Sequence, residues 1–193
     1  GTPDFMASEV ESQSYHFLPI LPISMDTFKG PKPAWPEQPP FRANSLHDLE
    51  SLWWILMWVL HYHVDARTPA LSLEQETLYQ RHFPGLSLGP GQTRLASLMV
   101  NVEVCLLPAA FHSAALVANK LRCVLRNSYE KAEGYSGVDI TQPYLESSKY
   151  FSLGLQLALE KQVDVRLISL HDAKKRKIAQ ELVEEKAAKR RKL

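Results

Sequence analysis

Hydrophobic positions along this chain recur at helical spacing, and strand-like alternation is weak throughout. Residues 45–62 carry Leu49, Leu52, Trp53, Trp54, Ile55, Leu56, Met57, Trp58, Val59 and Leu60. Apolar side chains on every side predict a helix without a polar face, wrapped by other helices at the centre of a domain. Ser45, three residues ahead of Asp48, supplies a capping pattern for its start. A second stripe, Phe111, Ala115, Ala118, Leu121, Leu125 and Tyr129, predicts a helix over 109–132 that Gly134–Gly137 ends. Pro108 separates it from a helix over 92–107. Shorter helical pieces are expected over 73–81 and 152–162, and residues 163–170 suit helix or strand equally. A last helix over 172–192, capped by Asp172, has only Ile178, Leu182 and Val183 as apolar anchors, so it is mostly solvated. The class is mainly α.

Two stretches break this pattern. Residues 1–11 are mixed apolar and polar without a period. Residues 12–44 contain Pro19, Pro22, Pro31, Pro33, Pro36, Pro39 and Pro40, which exclude regular helix. A loop of that length in a compact domain points to a functional or family-specific insertion.

Composition adds limits. A hydrophobic share of 45% in 193 residues suits one globular domain with a real core. Cys105 and Cys123 lie in apolar, helix-like sequence without CxxC spacing, which predicts two small buried thiols in a reducing, intracellular setting. The longest apolar run, Leu52 to Leu60, is nine residues, well short of the roughly 20 that cross a bilayer. The net charge of +1 hides an asymmetry. Residues 174–193 hold nine Lys/Arg against three Glu, a balance of +6; the rest hold 13 basic and 18 acidic side chains, a balance of −5.

Against this background the opening residues, Gly1-Thr2-Pro3-Asp4-Phe5-Met6-Ala7-Ser8-Glu9, resemble the end of a protein-kinase activation segment. That pattern is Gly-Thr-x-x-aromatic-x-Ala-Pro-Glu, and only Ser8, standing where Pro is usual, departs from it. His47-Asp48-Leu49-Glu50-Ser51 followed by Leu52-Trp53-Trp54-Ile55-Leu56 resembles the start of the kinase F helix, and with the proline-rich insertion ahead of it is similar to the fungal-type kinases of basidiomycetes. The resemblance implies a partial kinase C-lobe over 1–170, with 12–44 as the insertion and 171–193 as a basic tail, helical or disordered. It implies a substrate-docking role for Gly1, Thr2, Phe5, Ala7 and Glu9. Thr2 would bond the catalytic-loop Asp and Lys, as in Ser/Thr kinases, and Glu9 would pair with a buried Arg, for which Arg94, Arg122 and Arg126 are available. Asp48 would accept backbone N–H groups of the catalytic loop, with Ile55 and Val59 as seats for hydrophobic spines. Taken alone, Asp48 reads first as a helix cap; taken with Glu9 in the right order, the kinase reading is preferred.

The same resemblance implies that the first residue falls inside a domain, with everything that holds ATP upstream. These residues include no Gly-rich phosphate loop, strand Lys, HRDxxxxN loop or DFG Asp. ATP and Mg²⁺ belong to the complete family domain, and this chain alone is expected to be inactive, with no catalytic or metal residue of its own. Its partners would be a protein substrate or the upstream kinase half. The alternative from another class is a non-catalytic nuclear interaction protein, a pseudokinase-like helical remnant with a basic tail; an unrelated helical domain is a third.

The tail has the form of a two-part nuclear import signal: Lys174-Lys175-Arg176-Lys177, eleven residues, then Lys189-Arg190-Arg191-Lys192. An import receptor is the first reading, a solvated helix with Glu181, Glu184 and Glu185 pairing to lysines the second, and nucleic-acid contact the third. A nuclear location follows from the first and a cytoplasmic one otherwise. His61 and His63 lie two apart on a helix with no accompanying carboxylate or thiol cluster, so they suit a helix end reaching the surface better than a metal site.

Overall fold

A short helix, α1 (Ser8–Ser12), follows a 3-10 turn at Pro3–Phe5 and leads toward the central helix α2 (Ser45–Tyr62). The computed structural model describes residues 3–19, 39–67, 72–83, 92–134, 137–161 and 164–190; most of the proline-rich stretch lies outside them. The fold is mainly helical. Asn44, not Ser45, caps α2. Its side chain accepts from Leu46 N (2.9 Å), and the His47 ring accepts from Asn44 N (2.9 Å), closing a reciprocal capping box with His in the place usually held by Glu.

α2 buries Leu46, Leu49, Trp53, Trp54, Met57 and Leu60, all at 7% exposure or less. It is not enclosed on every side, contrary to the sequence expectation: Leu52 and Ile55 are 45% and 42% exposed. The strand β1 (His63–Asp65) continues α2, and helix α3 (Leu73–His82) turns back against it. Gln75 on α3 is fully buried because its amide donates to the carbonyls of Leu60, His61 and His63, which the end of α2 leaves open.

Helix α4 (Gln92–Met99) ends well before the expected residue 107. The reason lies on helix α5 (His112–Ala132). The Asn119 amide holds both N–H and C=O of Val102 (2.7 and 3.1 Å), and Arg122 takes the Leu98 carbonyl and Asn101 Oδ1 (2.7 and 2.6 Å). Residues 100–103 are thereby held out of helix, and Arg122 serves as the C-terminal cap of α4. The predicted stripe of α5, Phe111 to Tyr129, is buried at 2% exposure or less. Both cysteines, expected inside, are exposed: Cys123 lies on α5 away from that stripe, and Cys105 sits in the 3-10 turn Val104–Leu106.

A small hairpin, β2 (Glu133–Gly134) with β3 (Gly137–Val138), leads into helix α6 (Thr141–Glu160), twice the length expected. Pro143 falls in its first turn, where a missing N–H costs nothing. Gly154 marks its crossing with α5, since a Cβ there would lie 3.0 Å from Leu121. β4 (Leu167–Ser169) pairs antiparallel with β1, so only these residues in the described part of the ambiguous 163–170 stretch are strand, and α7 (Leu170–Arg190) begins at its last residue. Ser169 caps α7 by accepting from Asp172 N (3.0 Å), so the helix starts two residues ahead of the expected cap. Its buried anchors are Leu170 and Ala173 against Val64; Ile178, Leu182 and Val183 are exposed by half or more.

Candidate functional site

Asp48, Leu52 and Ile55 lie on the solvent side of α2, with Val59 half-buried one turn further on. The spacing of 4, 3 and 4 residues sets them in one row along the helix. An acidic head is followed here by an exposed apolar row, on the helix that otherwise forms the core. Of the predicted residues, Asp48, Ile55 and Val59 come together here.

The opposite side of the same helix turn is a buried polar cluster. Glu9, Glu50 and Glu133 are each at most 1% exposed, with His47 at 3% and Tyr129 at 1%. Glu50 accepts from Ser8 N (2.8 Å), Trp54 Nε1 (3.1 Å) and Tyr129 OH (2.8 Å). Ser8, where the kinase pattern has Pro, thus supplies an N–H that Pro would lack. Glu9 accepts from His16 N (2.8 Å) and meets His47 Nε2 at 3.0 Å. His47 lies between the rings of Phe41 and Tyr129. Glu133 accepts from Phe17 N (2.8 Å).

Burial dominates the electrostatics. It raises Glu9 to about 7 and Glu133, which also faces Glu9, to about 9. It raises Glu50 and Tyr129 as well and lowers His47. Carboxyls pushed up together share protons instead of carrying full charge. Sequence reasoning missed Glu50, His47, Tyr129 and Glu133. The available signal was a Glu inside an apolar helix, which must find donors to be buried.

Glu9 is paired with His47, not with an arginine as expected. Arg94 donates to the Met6 carbonyl, approaches Glu11 (3.4 Å) and lies 4.7 Å over the Trp54 ring. Arg122 caps α4, and Arg126 pairs with Glu130. Phe5 packs edge-on against Trp58, and Ala7 is buried in extended conformation ahead of α1. Gly1 and Thr2 lie outside the described residues, as do Arg191 and Lys192.

In the tail, Lys174 pairs with Glu76 of α3, Lys175, Arg176 and Lys177 are exposed on α7, and Lys189 pairs with Glu185 (2.6 Å). Arg190 ends the helix. His61, expected at the surface, is 1% exposed and bonds the Met57 carbonyl (2.8 Å), while His63 bonds that of Val59.

A cleft of about 150 Å³ contains a third contact, His82 Nδ1 to Ser97 Oγ at 3.2 Å. Burial lowers His82 to about 4, too weak a base to activate a hydroxyl at neutral pH. Among the described residues no group of three or more His, Cys, Asp or Glu side chains is arranged to hold a metal ion, and no helix is long and apolar enough to cross a membrane. No protein-family model matches the chain, and no match is found among curated proteins or solved structures.

Proposed function

We propose that this chain is part of a Ser/Thr protein-kinase C-lobe of the fungal type, in which α2 is the platform for a catalytic-loop segment. The observation that carries this reading is the exposed row Asp48, Leu52, Ile55 and Val59 on a helix whose other sides are core. The resemblance assigns the same positions, Asp48, Ile55 and Val59, to contact with the catalytic loop and spines. Glu9 supports it further: an acid nine residues into the chain is buried against the start of α2, which ties the activation-segment-like residues to the platform.

The resemblance expects the ATP and Mg²⁺ ligands in motifs that these residues do not include, so no step of phosphoryl transfer is assigned to them. Their contribution is positioning: α2 supplies the seat and residues 3–9 the substrate-docking edge. In protein kinases the transfer itself depends on charge stabilisation by nucleotide- and metal-binding motifs. The test uses a longer polypeptide that includes the residues encoded upstream of Gly1. There, Ile55→Lys abolishes protein phosphorylation, while the same substitution leaves the urea midpoint of the 193-residue chain unchanged. Full phosphorylation by the Ile55→Lys form overturns the reading.

A second reading concerns the tail. Lys175, Arg176 and Lys177 are exposed on α7, in keeping with recognition by a nuclear import receptor. Residues 170–193 fused to a fluorescent protein should accumulate in the nucleus; an even distribution overturns it.

A further inference from the structure

The N-terminal arm, residues 3–17, is fastened to the helical body through carboxyl groups. Glu50 on α2 holds the Ser8 N–H and Glu133, at the end of α5, holds the Phe17 N–H. Glu9, within the arm, holds the His16 N–H and meets the Glu133 carboxyl. One Glu133 oxygen is buried with no hydrogen-bond donor, while the other holds the Phe17 N–H.

Among the described residues, the charged and titratable groups around this pair come from three elements. The arm contributes Glu9 and His16; α2 contributes His47 and Glu50, with Asp48 exposed beyond; α5 contributes Tyr129. Arg94 of α4 stands off, over Trp54 and against Glu11. Burial favours the neutral His47 ring. Three buried carboxyls therefore meet no full positive charge in direct contact among the described residues, and a shared proton is the charge that reconciles Glu9 with Glu133.

We propose that this shared proton is a latch: while Glu9 and Glu133 hold it the arm stays docked, and its loss releases residues 3–17 from a helical body that remains folded. The inference stands apart from the kinase-like reading. Glu9 and Glu133 are both raised above the ordinary carboxyl value of 4.5, to about 7 and about 9. The docked arm thus binds protons that the free arm does not, and docking weakens as pH rises through that range. Release would uncover Trp58 and Tyr129, on which Phe5 and Phe17 pack.

Hydrogen exchange of the full 193-residue chain tests this, with each rate divided by the intrinsic rate at the same pH. Protection of residues 8–17 should fall at least about tenfold between about pH 6 and about pH 9, while that of α5 changes less than about threefold. Glu133→Gln, whose amide donates where the proton was, should keep the arm within about threefold across the same range. Unchanged arm protection in the parent chain overturns the latch. So does an equal loss in α5, or a loss in Glu133→Gln matching that of the parent.

Discussion

Asp48 and Glu50 stand two residues apart on α2, and the first is exposed while the second is fully buried beneath the N-terminal arm. One helical turn thus presents an acid to each side: Asp48 heads the exposed row, and Glu50 anchors the arm through Ser8, Trp54 and Tyr129. Asp48→Asn should shift stability by less than about 0.5 kcal/mol, as exposed positions usually do. Glu50→Ala leaves three buried donors without an acceptor and should cost at least about 3 kcal/mol. Urea unfolding of both variants checks the contrast, and equal effects would refute it.

Ser8 separates a backbone effect from a side-chain one. Its position opens α1 after an extended Ala7, where Pro fits sterically. Ser8→Pro should nevertheless lower stability by about 1–3 kcal/mol, because Glu50 loses the Ser8 N–H. Ser8→Ala keeps that N–H and loses only a long 3.4 Å hydroxyl contact, so it should cost less than half as much in the same unfolding assay.

Acid should weaken the fold through its buried imidazoles. The rings of His61 and His82 lie 5.0 Å apart, and burial lowers both, His82 to about 4. A folded value below the unfolded one, 6.5, means their contribution is present above 6.5 and is lost as pH falls toward 4. His82→Gln cannot take up that proton, so its urea midpoint should fall less between about pH 6.5 and about pH 4.5 than that of the parent chain. Parallel midpoints would count against this.

The crossing of α5 and α6 has little room at Gly154. A Cβ would stand 3.0 Å from Leu121 Cδ2 and 3.3 Å from Val117 Cγ1. Gly154→Ala trades this crowding against a helix-propensity gain of about 1 kcal/mol and should be near neutral. Gly154→Leu should lose about 1–3 kcal/mol, measurable as a lower Tm.

Much of the helical framework was legible in the sequence. The stripe from Phe111 to Tyr129 and the apolar positions from Leu49 to Leu60 mark α5 and α2, since most of them are buried as local spacing suggests. α6 was half hidden: Pro143, Ser147 and Gly154 have loop character, and each is accommodated by helix position or by packing against α5. The acid cluster was not legible. Its members come from residues 9, 47, 50, 129 and 133, and the partnership of Glu9 with His47, chosen over three candidate arginines, is set by tertiary packing across 38 residues. The exposed side of α2 was also unreadable, since an apolar residue looks the same in sequence whether it meets core or solvent.

The central claim, that α2 offers a kinase catalytic-loop platform, is tested most directly by sequencing the transcript upstream of Gly1. The account predicts an open reading frame carrying His-Arg-Asp and then Asp-Phe-Gly in frame ahead of Gly1. A continuous upstream frame that lacks both motifs would contradict it.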